Sequence, residues 1–283
     1  MNLNNNKFKP GLYCVATPIG NMGDISFRAI KILQESDLIL CEDTRVTKKI
    51  LQKFEINKQV ISNHKFNENK NLEKVIEILK NNKIVSLVSD AGTPAVSDPG
   101  RILVNECVKK KINIFPIPGA SAVNSAISIS GFSDNFYFCG FLSEKQNQVK
   151  KLFRNLSLLE SSIVFFISPN KFIKRIDDIK EFFLNRDIII CREITKYHEE
   201  YIRTSVKELS NVSFSRKGEI TVVISEAKKE KLSFKELEES DKKKINKLIK
   251  KMSIKDIVKK VSEGKKISKK VIYNYCIKKK NEN

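Results

Sequence analysis

The stretch 89–100, Ser-Asp-Ala-Gly-Thr-Pro-Ala-Val-Ser-Asp-Pro-Gly, limits the possible folds of this chain more than any other segment. It follows Ile84, Val85, Ser86, Leu87 and Val88, a β-branched apolar run that reads as a buried strand. Two Gly, two Pro and two Asp in twelve residues rule out regular structure. In α/β proteins, ligands bind in loops at the carboxyl ends of strands. Gly92 lets a ligand approach the backbone, and Pro94 and Pro99 stiffen the loop. Asp98-Pro99 reads as a helix N-cap followed by Pro at the first helical position. A plain strand-to-helix connection could have the same composition, so both readings stay open from the loop alone.

Two further strands end in the same way. Residues 12–17 run into Pro18-Ile19-Gly20-Asn21, and residues 112–115 run into Pro116-Ile117-Pro118-Gly119-Ala120-Ser121-Ala122. Between them, Leu72, Val75, Ile76 and Leu79 repeat at helical spacing. Strands alternating with helices predict a parallel sheet whose loops gather at one edge and build one pocket.

The 283 residues divide into three regions. Region 11–120 is read as an N-terminal α/β domain. Region 121–227 is read as a second α/β domain, with strands near 137–139, 162–167, 187–191 and 219–225 and an N-cap at Ser168-Pro169. Region 228–283 is read as a basic helical appendage. There Ile245, Leu248, Ile249 and Met252 form one stripe, and Ile254, Ile257, Val258 and Val261 another. Ser253 and Asp256 approximate a capping box, and Gly264-Lys265-Lys266 interrupts the pattern.

No apolar run approaches the ~20 residues needed to span a bilayer, so no membrane partner is expected. The first ten residues lack the apolar core of a secretory signal. Six cysteines are scattered without CxxC spacing, which fits reduced thiols in a cytoplasmic protein. His64 and His198 are the only histidines, so no metal site is expected.

The net charge is +20, and residues 228–283 alone carry 20 Lys, no Arg and 8 Asp or Glu. Such concentration is the footprint of a nucleic-acid partner. An AT-rich genome also favours Lys over Arg, so compositional drift is the competing reading. The chain has no G-x-x-x-x-G-K-[ST], no G-x-G-x-x-G after its first strand and no G-x-S-x-G elbow. These absences disfavour a P-loop, a dinucleotide or methyltransferase Rossmann site, and a hydrolase nucleophile. Backbone-rich loops remain, and they suit a ligand with an amino-acid end, an adenine and a sulfonium.

Thr17-Pro18-Ile19-Gly20-Asn21, Glu42-Asp43-Thr44-Arg45, the 89–100 loop and Pro118-Gly119-Ala120-Ser121-Ala122 resemble the tetrapyrrole-methylase-like (class III) superfamily of S-adenosylmethionine (SAM) methyltransferases. Gly140-Phe141-Leu142, Arg192-Glu193-Ile194-Thr195-Lys196 and Arg216-Lys217-Gly218-Glu219-Ile220 extend the likeness, which covers about 11–226 in order. Within the superfamily the chain looks most like the branch that methylates the ribose 2′-oxygen of a cytidine in the decoding region of 16S rRNA. The resemblance implies two α/β domains with the cofactor cleft between them, SAM as cofactor, 16S rRNA or the small ribosomal subunit as partner, and a homodimer. A small-molecule tetrapyrrole methylase of the same fold is one alternative. A non-enzymatic helix-turn-helix nucleic-acid binder is another.

Matched motif by motif, the resemblance implies cofactor contacts from Pro18, Gly92, Thr93, Ala95, Val96, Ser121, Ala122, Phe166, Glu193, Gly218, Glu219 and Ile220. Ser121 also reads as a helix cap, and Phe166 as a core residue. A 2′-hydroxyl is a poor nucleophile, so a base or an orienting group helps. Glu42, Asp43 and Asn21 are the catalytic candidates, with Glu193 a further option. Asp43 or Thr44 equally reads as the cap of the next helix. Arg45, Lys48 and Lys49 are candidate RNA-phosphate contacts, or simply a solvated helix face. The chain departs from the family pattern at Phe66, where a second histidine is usual. It departs again at 167–171, which reads Ile-Ser-Pro-Asn-Lys instead of the more frequent Glu-Ser-Pro-His-Arg.

Overall fold

The computed structural model describes residues 8–64, 67–227, 237–249, 251–262 and 267–281. Phe66 and the 264–266 break lie outside them. The chain divides into two compact units, 1–227 and 228–283.

The first unit opens with a sheet of five strands: β1 (Gly11–Val15), β2 (Leu38–Cys41), β3 (Val60–Ser62), β4 (Ile84–Leu87) and β5 (Ile114–Ile117). They stand in the order β3-β2-β4-β1-β5, and every pairing is parallel. The helices are α1 (Phe27–Glu35), α2 (Thr44–Lys53), α3 (Glu68–Lys80) and α4 (Arg101–Lys109). Ala29, Ile32, Leu33 of α1 and Leu51 of α2 cover one face, and Val75, Ile76, Leu79 of α3 with Leu103 and Cys107 of α4 cover the other. With both faces covered, β2 is buried at all four positions, which is why it reads as an unbroken apolar run.

The strand order sets the ligand position. The connection leaving β1 runs towards β2, and the one leaving β4 crosses to β5 on the other side of β1. Crevices form where neighbouring connections diverge. There Thr17 and Gly92 exchange backbone hydrogen bonds of 2.9 and 3.0 Å, and the Thr17 hydroxyl donates to the Ser89 carbonyl.

After α5 (Ala122–Ser130), a second sheet contains β6 (Phe136–Phe141), β7 (Ser162–Ile167), β8 (Asp187–Arg192), β9 (Glu200–Ser205) and β10 (Ile220–Ile224). Its order is β6-β7-β10-β8-β9, with only β6 and β7 parallel. Helices α6 (Gln146–Ser157), α7 (Pro169–Ile173) and α8 (Ile176–Phe183) complete this half. Val149 and Phe153 of α6, Phe172 of α7 and Ile179 of α8 bury one face of the sheet, and Val123 and Ala126 of α5 bury the other. Arg186, only 4% exposed, is held by the carbonyls of Ser157, Leu159, Ser161 and Ser225, which engage both terminal nitrogens of its buried guanidinium.

Among its described residues, the second unit has three helices, α9 (Glu239–Leu248), α10 (Ile254–Ser262) and α11 (Lys269–Asn281), around Ile245, Ile257, Val261, Ile272 and Cys276. The Asp256 amide donates to the Ser253 hydroxyl at 3.2 Å, as a capping box requires.

Asp98 does not cap α4. That helix starts at Arg101, with Gly100 at its N-cap at φ 127° and no side-chain cap of its own. The N-cap role is taken from a distance: Oε1 of Glu68, at the start of α3, accepts from the Ile102 and Leu103 amides at 2.9 and 3.2 Å. A buried carboxylate facing the positive end of a helix is favourable. Glu68→Ala is therefore expected to lower the unfolding free energy by about 1–2 kcal/mol in urea denaturation, because two buried amides lose their acceptor.

Candidate active site

The loops of both sheets enclose a cavity of about 580 Å³, within the usual range for small-molecule sites. The first sheet contributes Ile19 after β1, Glu42 after β2, residues 90–93 and 96–98 after β4, and residues 121–123 at the start of α5. The second contributes Phe141, Phe166, Cys191, Glu193, Lys196 and residues 219–221 among others. The two sets of loops interlock. The Asn21 amide donates to the Thr195 hydroxyl at 3.1 Å, and a Cβ on Gly20 would lie 2.4 Å from Lys196 Cγ.

The 89–100 loop is an unusual piece of backbone. Gly92, Ala95, Ser97 and Gly100 all have positive φ. Two of these are not glycine, and backbone of this kind persists only where its surroundings impose it. A Cβ on Gly100 would meet Leu87 Cδ2 at 2.5 Å, so the loop folds back tightly on its own strand. Gly119 packs closely too: a Cβ there would lie 2.9 Å from that of Ala16.

One end of the cavity is acidic, with Glu42, Asp90 and Asp98 all on its lining. Burial, then the charges of Glu42 and Asp90, push the Asp98 carboxyl up to about 6, against a weak opposing hydrogen bond from Ser89. Burial and Asp90 also raise the Glu42 carboxyl, with His64 and Asp43 contributing less and in opposite directions. Asp90 accepts from the Asp43 amide at 2.9 Å, which fixes its orientation.

Among the residues expected from sequence, Glu42, Gly92, Thr93, Val96, Ser121, Ala122, Phe166, Glu193, Glu219 and Ile220 line this cavity. Pro18, Ala95, Gly218, Asn21 and Asp43 are not on its lining. Pro18 is buried. The Ala95 methyl instead faces Gly100, and Gly218 leaves room for the Glu193 side chain, which a Cβ would meet at 2.6 Å. Asn21 uses its side-chain oxygen on the Gly23 amide, at the 3₁₀ turn Met22–Asp24. Asp43 is the N-cap of α2, and the Arg45 side chain and amide hold its carboxyl down at about 2. A carboxylate so committed makes a poor base. Arg45, Lys48 and Lys49 are exposed on α2 outside the lining, and Arg45 is already paired with Asp43.

Glu193 is tied as well. Its Oε1 accepts from Lys196 Nζ at 3.0 Å and from the Glu219 amide at 2.9 Å. Although burial opposes it, these bonds and the Lys196 charge leave its carboxyl below the usual range. Ser121 is both cap and lining, accepting from the Asn124 amide at 3.4 Å. Phe166 likewise lines the cavity while packing against Phe138 and Phe141. Ser168 is the N-cap of α7 by position, with no side-chain cap bond.

Sequence reasoning passed over Asp90, Lys196 and Phe141 as site residues and read Asp98 as a helix cap that also lines the site. The available signal was their position just after strands at the loop-bearing edge. No group of three or more potential metal ligands occurs among the described residues, and no helix there is long and apolar enough to cross a membrane.

Comparison with known proteins accounts for this architecture. Residues 11–210 match the family model "Tetrapyrrole (Corrin/Porphyrin) Methylases". Solved structures of similar fold include a cobalt precorrin-4 methyltransferase, with TM-score 0.57 and 18% identity, covering 76% of this chain and 94% of that one. Another is diphthine synthase, with TM-score 0.58 and 17% identity, covering 76% and 89%. Among curated relatives, the ribosomal RNA small subunit methyltransferase I of Mesomycoplasma conjunctivae is 43% identical over 225 residues, 78% of this chain and 92% of that protein. The protein of the same name from Thermotoga maritima is 43% identical over 217 residues, 76% and 97%. Likeness at this level sets aside both a non-enzymatic helix-turn-helix protein and a small-molecule tetrapyrrole methylase. The chain belongs to the tetrapyrrole methylase family and, within it, to the ribosomal RNA small subunit methyltransferase I group.

Proposed function

We propose that this chain methylates the ribose 2′-oxygen of a cytidine in the decoding region of 16S rRNA, with S-adenosylmethionine as donor, in the cytoplasm and as a homodimer. The cavity carries this reading. One wall is loop backbone around Gly92 and Ser121, and the other is apolar and aromatic, with Phe166 and Ile220. Glu42, Asp90 and Asp98 add negative charge at one end. That donor set fits the cofactor: amides and carbonyls for its polar ends, an apolar wall for its adenine, carboxylates near a cation. The relatives' shared name supports an rRNA substrate of the small subunit. When bound, S-adenosylmethionine supplies an electrophilic methyl carbon with a neutral sulfur as leaving group, so no general acid is required.

The work left to the protein is positioning and proton transfer. The Asp98 carboxylate accepts the hydroxyl proton, and burial, then the charges of Glu42 and Asp90, keep it basic. Asp43 holds the start of α2 and, through its amide, the orientation of Asp90.

Two measurements test the reading. A thermal-shift titration is expected to show stabilisation by S-adenosylmethionine, and no shift at millimolar cofactor would refute the cofactor. Alkaline fragmentation of rRNA from cells with and without the gene is expected to show one gene-dependent resistant step at a 16S cytidine, because alkaline cleavage needs a free 2′-hydroxyl. An unbroken ladder together with methyl incorporation would move the methyl group to a base. Light scattering of the purified protein tests the dimer.

A further inference from the structure

Phe141 is 68% exposed, yet it lines the cavity. Local structure is built to put it there. β6 pairs with β7 in register at Phe138↔Val164 and next at Phe141↔Phe166, so three steps on β6 match two on β7. The extra residue is a β-bulge, a device that re-aims side chains beside functional sites. Gly140 supplies the positive φ of 71°, and a Cβ there would lie 2.9 Å from Ser97 Oγ.

In a regular strand, residues three apart point to opposite faces. The bulge instead puts Phe138 and Phe141 on one face, flanking Phe166 at ring distances of 5.0 and 5.2 Å. Phe166 braces the outer ring, and Phe138 in turn packs on Phe166. Ser97, the neighbour of Asp98, therefore lies directly against Gly140. The segment beyond β6 carries the exposed Lys145, and its Glu144 pairs with Lys171.

The geometry points to Phe141 as the stacking platform for the pyrimidine base of the RNA nucleotide whose ribose enters the cavity. This inference rests on the rRNA substrate proposed above. Unpaired RNA bases are recognised chiefly by stacking on aromatic side chains. A platform at the cavity mouth holds the base outside while the ribose reaches inward to the carboxylates.

The test compares Phe141→Ala and Phe141→Trp with the unmodified protein. Methyl transfer is followed from labelled S-adenosylmethionine to small ribosomal subunits from cells lacking the gene, and cofactor affinity is measured by calorimetry. Phe141→Ala is expected to raise KM for the subunit by about tenfold or more, with kcat less affected and cofactor affinity unchanged. Phe141→Trp is expected to restore KM. An unchanged KM in Phe141→Ala overturns the inference while leaving the function intact. A fall in cofactor affinity overturns it in favour of an adenine contact. A halved mass in light scattering overturns it in favour of contact with a second copy. If the unmodified protein transfers no methyl group to the subunit, the proposed function itself fails, and this inference with it.

Discussion

Asp98→Asn is expected to lower kcat by about a hundredfold or more, the usual contribution of a general base, and to abolish the acid limb of the pH profile. Asp98 is half-buried on the cavity lining, with Glu42 and Asp90 beside it. Its carboxyl is pushed up to about 6, first by burial and then by those charges. The base form is the ionised one, so kcat/KM, which reports the free enzyme, should rise with pH through about 6 and level off above it. The variant should show a low, flat profile across that region. Steady-state methyl transfer between pH 5 and 8 reads both effects. A variant that keeps its kcat would shift the role to Glu42, the other raised carboxyl on the lining.

The same substitution makes a stability prediction of opposite sign. A carboxyl raised in the folded state binds a proton that the unfolded chain has already released between about pH 4 and 6. Folding is therefore disfavoured progressively as pH rises through that window, and the cost is complete above it. Asp98→Asn should melt at a higher temperature than the unmodified protein at pH 7.5, and the gap should close towards pH 4. Gain in stability with loss of turnover marks a strained active-site group.

The second large effect concerns 228–283. Deleting this unit is expected to weaken binding to rRNA and to flatten its salt dependence by about 0.7–0.9 in log K per log salt for each phosphate that its lysines would otherwise neutralise. The segment carries 20 Lys against 8 acidic residues, and it folds around its own core. The family model ends at residue 210, and every residue on the cavity lining lies between 19 and 221. Cofactor affinity of residues 1–227 should therefore match that of the full chain. Salt titrations of filter binding decide the matter. Equal slopes for the two proteins would make the lysines a product of base composition.

The sequence by itself determined what depends on neighbours along the chain. β2 and β7 fall at 38–41 and 162–167, where unbroken apolar runs end in turn-forming residues. The glycines and prolines of 89–100 announced an irregular loop at a strand end, because φ preferences act residue by residue. The helical stripes near 72–79 and 245–261 were legible for the same reason.

Contacts between distant segments were decided only in three dimensions. Asp98-Pro99 looked like a cap, but Glu68, 34 residues before Ile102, reaches the start of α4 first and leaves Asp98 to the cavity. Asp43 and Glu193 had the chemistry of a base, but Arg45 and Lys196 engage them. The second sheet is mixed and gains β9, because pairing partners are chosen across the sheet and not within the strand. The exposure of Phe141 follows from one extra residue in the β6–β7 register. Local propensity sets which segments become strands, helices and loops. Which carboxylate keeps its charge free, and which aromatic ring faces outward, depends on what the fold brings within a few ångströms.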